Sequence, residues 1–201
     1  MGELELKHLN FLKDKNELVE LTKQAVKFNR FVLEKDVDEY ATKFFLENYK
    51  NSSIAPGAYI NNELKGFILF SSLKEESINK AFPKELYEIV KKKFADCDYL
   101  EDIYVYRKTC DNIIKRVATG ADGEITLFVV NKNERGSGIG RKLLSECLKI
   151  IENAHYQKIF LTSDSECNYT YYLKFGFNIV GEDYVFYKND KVQVYIEVKE
   201  L

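Results

Sequence analysis

Apolar positions in this chain alternate at both ends and keep a helical period in long stretches between. Glu3-Leu4-Glu5-Leu6-Lys7 alternates polar and apolar and predicts a first strand. Lys15 to Val32 reads as helix, with Leu18, Leu21, Ala25 and Phe28 in period and Val19 and Val26 flanking. A second helix is expected from near Asp36, where Glu39 completes a capping-box pattern. Val37, Tyr40, Ala41, Phe44, Phe45 and Tyr49 form its stripe, read as core rather than as substrate-facing aromatics. Ala58-Tyr59-Ile60, the turn pair Asn61-Asn62 and Leu64 to Phe70 predict a hairpin. Pro83 to Phe94 predicts a short helix with Leu86, Ile89, Val90 and Phe94 on one side. Tyr99 to Val117 is ambiguous: Ile103-Tyr104-Val105-Tyr106 fits strand or helix, and Asn112 to Val117 is more helical.

The strongest pattern runs from Glu124 to Phe177. Glu124 to Val130 is apolar, β-branched and aromatic, a buried strand. After polar Asn131 to Glu134 comes Arg135-Gly136-Ser137-Gly138-Ile139-Gly140-Arg141-Lys142, and then an amphipathic helix. Leu143, Leu144, Cys147, Leu148, Ile150, Ile151 and Ala154 share its apolar face. Ile159 to Thr162 is a second strand, Ser163 to Asn168 is polar, and Tyr169 to Phe175 leads into Gly176-Phe177. Tyr184 to Tyr187, the turn Asn189-Asp190 and Val192 to Val198 close with a hairpin. Its last strand alternates apolar and polar, as a strand buried on one face should.

Strand, glycine-rich turn, helix and strand make a βαβ unit with an anion cradle at the crossover. Glycines let the backbone approach a ligand, and unpaired N–H groups with the helix dipole favour phosphate. Arg141 and Lys142 add positive charge there. The turn lacks the P-loop spacing, and a Rossmann fingerprint would need glycine where Arg141 stands.

The pattern that fits is Arg135-x-x-Gly138-x-Gly140, followed by Tyr171-Tyr172-Leu173-Lys174-Phe175-Gly176-Phe177. Together they resemble the acetyl-CoA-binding core of the GNAT N-acetyltransferase superfamily, whose motifs are Gln/Arg-x-x-Gly-x-Gly and Phe-Tyr-x-x-x-Gly-Phe. The resemblance is tight over 124–177 and extends by element order over about 54–201. It implies an α+β, α/β/α-layered fold, with a mixed, mostly antiparallel central sheet splayed between its fourth and fifth strands and helices on both faces. In that fold the hairpin leads directly into the strand at 124–130. Residues 1–201 are therefore expected as one domain with a mainly helical insert at about 71–123, covering part of the acceptor pocket.

The same resemblance implies acetyl-CoA as co-substrate. Its pantetheine arm would lie between the strands at 124–130 and 159–162, bonded by the main chain of Phe128, Val129 and Val130. An N–H near Val130 would polarise the thioester, and Arg135, Gly136, Ser137, Gly138, Ile139, Gly140 and Arg141 would hold the diphosphate. Relatives often bind pantetheine with an asparagine seven residues before the tyrosine. Here Ser165 has that place and Asn168 stands near it. Tyr172 is the expected general acid, with a packed aromatic as the other reading. Glu124, eleven residues before Arg135, matches the offset of the general base in the histone-acetyltransferase branch. A solvated carboxylate is its other reading, and Glu101 and Asp102 are weaker candidates. The implied reaction is direct attack of a primary amine, on a small molecule or peptide, upon the thioester. The alternative is a GNAT-like module that holds acyl-CoA without turnover.

Composition narrows the rest. The chain has 201 residues, 45% hydrophobic and 31% charged, in keeping with one domain. A net charge of −2 with interspersed signs argues against nucleic-acid and membrane-surface partners. With an acidic start and no long apolar run, a cytoplasmic protein is expected. A homodimer stays open. The four cysteines lack metal spacing and are expected reduced, with no metal bound. His8 and His155 have no catalytic partner nearby in sequence. His155 follows a helix end, where exposure or capping is expected.

Overall fold

The computed structural model describes residues 3–74, 79, 82–95, 97, 100–187 and 190–201. The strands are β1 (Leu4–His8), β2 (Ser52–Ile54), β3 (Pro56–Ile60), β4 (Glu63–Ser72), β5 (Gly123–Val130), β6 (Lys158–Asp164), β7 (Asn178–Tyr187) and β8 (Asp190–Glu200). They form one sheet in the order β1-β3-β4-β5-β6-β8-β7, with β2 also on β4. Among the described residues, only β5 and β6 run parallel; the other pairs are antiparallel. Counted along the sheet, β5 and β6 are its fourth and fifth strands.

Helices cover both faces. α1 (Phe11–Ala25), α2 (Val37–Lys50) and α3 (Lys84–Lys93) pack on Phe67, Leu69, Leu127 and Val129. α4 (Glu101–Val117) continues that layer over β6, β8 and β7 through Cys110 and Ile113. α5 (Ile139–Asn153) and the single turn α6 (Thr170–Leu173) take the opposite face. The aromatics of α2 are core: Tyr40, Phe45 and Tyr49 are at most 2% exposed. Each such buried ring contributes roughly 1.5–3 kcal/mol of transfer free energy.

The expected boundaries shift for local reasons. α1 starts at Phe11 because the Asn10 side chain accepts from the Lys13 N–H. It ends at Ala25, not Val32, because Val26 is extended; Phe28 is buried from a separate 3₁₀ turn. Asp36 makes no capping bond to α2; its carboxylate meets Lys93 of α3 at 3.0 Å instead. The β3–β4 hairpin turns at Asn61 and Asn62, with φ of 52° and 64°, as the asparagine pair predicts. The ambiguous 103–117 stretch is one helix, α4. Ile89 and Ile150, expected on buried faces, are 68% and 38% exposed, and Ala154 is exposed past the end of α5. His155 follows with φ of 59°, the left-handed residue that ends a helix. β8 is buried on both faces at its centre, since Glu197 as well as Ile196 is 0% exposed.

Candidate active site

The sheet opens between β5 and β6. Their parallel pairing covers only Gly123 to Ile125 against Ile159 to Leu161. β5 nevertheless stays on β4 as far as Val130, and β6 stays on β8 as far as Asp164. The β4–β5 register slips at Thr126, where Leu69 pairs with Leu127 and Phe70 with Ile125. One extra residue in a strand bends and twists it, and here it swings β5 away from β6.

Hydrogen-bond alternation shows what faces the gap. The Asn131 N–H bonds the Lys65 carbonyl at 2.8 Å, continuing the β4–β5 register. Every other residue then bonds β4, so Leu127 and Val129 are spent there. The main-chain groups of Phe128 and Val130 point the other way, into the gap. On β6, the Ser165 N–H bonds the Gln193 carbonyl at 2.8 Å; by the same alternation Thr162 faces the gap. Of the expected trio, Phe128 and Val130 therefore offer free main-chain groups, and Val129 packs its side chain beside α1 and α2.

Beyond β5 the turn delivers an uncapped helix. Gly136 and Gly138 have φ of 86° and 87°, and a Cβ on either would meet nothing within 4 Å. Conformation, rather than crowding, requires glycine at both. Gly140 differs: a Cβ there would lie 3.2 Å from the Tyr171 hydroxyl, 3.3 Å from Val130 Cγ2 and 3.5 Å from Phe128 Cζ. It lets α5 pack closely on the end of β5. The Ser137 hydroxyl donates to the Glu134 carbonyl at 2.6 Å, Ile139 is buried, and Arg135 and Arg141 are not. Gly138 offers no side-chain cap, and the first turn of α5 holds no acid. The Ile139, Gly140 and Arg141 N–H groups are thus free by helix geometry. Two cations beside a positive dipole end are poorly placed for stability and well placed for an anion.

α6 sets two tyrosines against this corner. Tyr172 packs near Phe128, Tyr171 and Phe177, with ring centroids 5.9–6.2 Å apart. Burial raises its pKa well above the ordinary phenol value, and the Cys167 and Glu197 charges add to the rise. Tyr172 is therefore a neutral proton carrier at physiological pH. Glu124 lies where β5 and β6 are still paired, opposite Ser71 and Phe160. It points to the α4 face, since the next residue, Ile125, packs with α5. Burial, with the Asp111 charge after it, lifts its pKa to about 7. The two candidates flank the start of the gap from opposite faces of the sheet.

The other expected residues are less committed. The Ser165 hydroxyl accepts from the Gln193 N–H at 3.2 Å, and Asn168 Oδ1 accepts from Thr170 at 3.2 Å. Both lie just beyond β6. Glu101 and Asp102 stand in the first turn of α4. Sequence reasoning missed Asp111 and Asp164. Asp111 falls in the ambiguous stretch, and nothing distinguishes Asp164 from its neighbours in a polar run. The Tyr106 hydroxyl of α4 donates to Asp164 Oδ2 at 3.3 Å, so α4 reaches the mouth of the gap. Among the described residues no cluster has the makings of a metal site, and no helix is long and apolar enough to cross a membrane.

Known structures share the fold. PH1933 from Pyrococcus horikoshii OT3 is 22% identical over 99% of both chains, with a TM-score of 0.62. The PaiA N-acetyltransferase from Thermoplasma acidophilum, in complex with coenzyme A, is 14% identical over 99% of both, with a TM-score of 0.58. A NatC complex bound to Gag peptide and CoA is 14% identical over 99% of both, with a TM-score of 0.55. At these identities the likeness is one of fold. No curated protein matches the chain. A family model described as an acetyltransferase (GNAT) domain matches residues 71–192, from the end of β4 into β8. That match takes in well over half of the sequence, and the chain belongs to the GNAT acetyltransferase family.

Proposed function

We propose that this protein transfers the acetyl group of acetyl-CoA to a primary amine by direct attack on the thioester. One observation carries the reading: Phe128 and Val130 present unpaired main-chain groups to an open sheet edge, beside the uncapped start of α5. An extended amide-bearing arm can pair there like an added strand. The turn from Arg135 to Arg141 takes the diphosphate, with Gly136 and Gly138 shaping it and Ile139 and Gly140 giving N–H groups. Ser165 and Asn168 border the arm on the β6 side.

The chain's own residues then divide the chemistry. The Val130 N–H polarises the thioester carbonyl and stabilises the oxyanion. Glu124 takes a proton from the incoming ammonium through water; an alkyl ammonium has a pKa of about 10.4, and a base near 7 is substantially ionised at neutral pH. Tyr172 gives its phenol proton to the departing thiolate. Burial that raises the phenol pKa also raises the proton affinity of a thiolate beside it, which keeps the transfer feasible.

Local charge supports an amine acceptor. Burial, and after it the charges of Asp111, Asp164 and Glu124, push the Cys110 thiol up to about 12. Three carboxyl groups thus lie within electrostatic reach of Cys110 on α4, although the whole chain carries only −2. A cationic amine is drawn to the α4 side, and α4 covers its approach. The NatC structure holds a peptide with CoA, which keeps peptide amines in the panel beside small molecules. The test is thiol release from acetyl-CoA with a panel of primary amines, the product weighed by mass spectrometry. Amine-dependent release with acetylated amine supports the enzyme. CoA binding without release for any amine identifies a non-catalytic acyl-CoA module.

A further inference from the structure

We propose that the Tyr171 hydroxyl is a ligand of the CoA diphosphate, donating a hydrogen bond beside the first turn of α5. The inference rests on the reading of the gap and turn as the CoA site, and it gives a binding role to a side chain whose ring packs against Phe128 and Phe175.

The hydroxyl is an anomaly within the fold. Its oxygen is buried and has no hydrogen-bond partner among the described residues. Burying an unpartnered hydroxyl costs free energy that phenylalanine would not incur. The ring itself is well served, packing at 5.2 Å from Phe175 and 6.1 Å from Phe128. Packing accounts for an aromatic at 171 and leaves the oxygen unexplained.

Its direction suggests the explanation. The oxygen lies 3.2 Å from where a Gly140 Cβ would stand, with Val130 Cγ2 and Phe128 Cζ on the same spot. That is the corner where β5 ends and α5 begins. Arg141 acts on the same phenol, its charge opposing the rise that burial causes. α5 brings no capping side chain and no acid to this turn. An orphan donor thus lies beside free helix N–H groups and within reach of an arginine's charge, and an anionic phosphoryl oxygen would satisfy all three. Glycine at 140 lets the hydroxyl come this close to the helix backbone.

Tyr171→Phe keeps the ring and removes only the oxygen. Calorimetry of wild type and variant with CoA and with pantetheine, which lacks the diphosphate, reads the effect. CoA affinity should fall about tenfold, as for one lost hydrogen bond to a charged group. Pantetheine affinity should change less than about twofold, and the unliganded variant should melt higher than wild type. A loss for CoA with a gain in melting temperature supports the assignment. Unchanged CoA affinity with the same gain would mean a packing defect and overturn it, as would an equal loss for pantetheine. Wild type that binds no CoA at all would overturn the underlying site reading as well, a result distinct from either.

Discussion

The two edges of β6 have different fates. Along one edge every residue from Lys158 to Asp164 pairs with β8; along the other only Ile159, Phe160 and Leu161 meet β5. β5 is not a weak strand, since it holds β4 as far as Val130. The difference comes from one extra residue, Thr126, in the β4–β5 ladder. The closed edge supplies stability, with Val194 and Ile196 fully buried behind it. The open edge exposes the main chain of Phe128 and Val130, a cost that a ligand can offset. The proposed function draws on pairing withheld at one place while its neighbours are complete.

The largest effect is expected from Tyr172, the proposed acid at the open edge. Tyr172→Phe should lower kcat by about 10³-fold and leave the CoA dissociation constant within about twofold, read by steady-state kinetics and calorimetry. Unchanged turnover would make Tyr172 a packed aromatic and nothing more.

Glu124 comes next, since water can replace part of its work. Wild-type kcat should rise with pH through about 7, the value to which burial lifts this carboxyl. Glu124→Gln should remove that limb and lower kcat about 10²-fold at pH 8. Its folded pKa is raised, so its stability contribution is complete below the unfolded value and is lost as pH rises through about 7. The variant should lack that decline. An unaltered acid limb in the pH–rate profile would remove Glu124 from the mechanism.

The smallest effect belongs to the closed edge and concerns stability. Glu197 is 0% exposed; Oε1 accepts from the Ser163 hydroxyl at 2.6 Å, and Oε2 has no partner among the described residues. Burial raises its pKa, opposed in part by the Ser163 bond. The folded protein therefore holds this proton more tightly than the unfolded chain, and stability falls as pH rises through the folded value. Glu197→Gln should melt about 2–4 °C above wild type at pH 8 and nearly with it at pH 4. A variant equally shifted at both pH values would place the effect in packing rather than charge.

Sequence reasoning saw the open edge well because its signals are local. Gly136, Gly138 and the helical stripe of α5 are bound to one stretch of chain, as is Asn61-Asn62 at the hairpin. It saw poorly what depends on partners far away in sequence. Nothing in Ile103-Tyr104-Val105-Tyr106 says which layer it will join; packing of Cys110 and Ile113 on β8 decides for helix. Ile89 and Ile150 sit at the margins of stripes whose edges only the tertiary fold sets. Thr126 reads as an ordinary strand residue, since a bulge belongs to a pair of strands. Gly140 reads as a third conformational glycine, and its contact with Tyr171 joins two helices that are distant in sequence. Glu197 reads as a polar position on an alternating strand, yet both faces are covered there.

Backbone amide exchange, residue by residue, with and without CoA, tests the open edge most directly. With the arm lodged between β5 and β6, the Phe128 and Val130 amides slow markedly on CoA addition. Val129, already bonded to β4, is slow in both states. Exchange at 128 and 130 that ignores saturating CoA, while binding is independently detected, would place the cofactor elsewhere and contradict the proposed site.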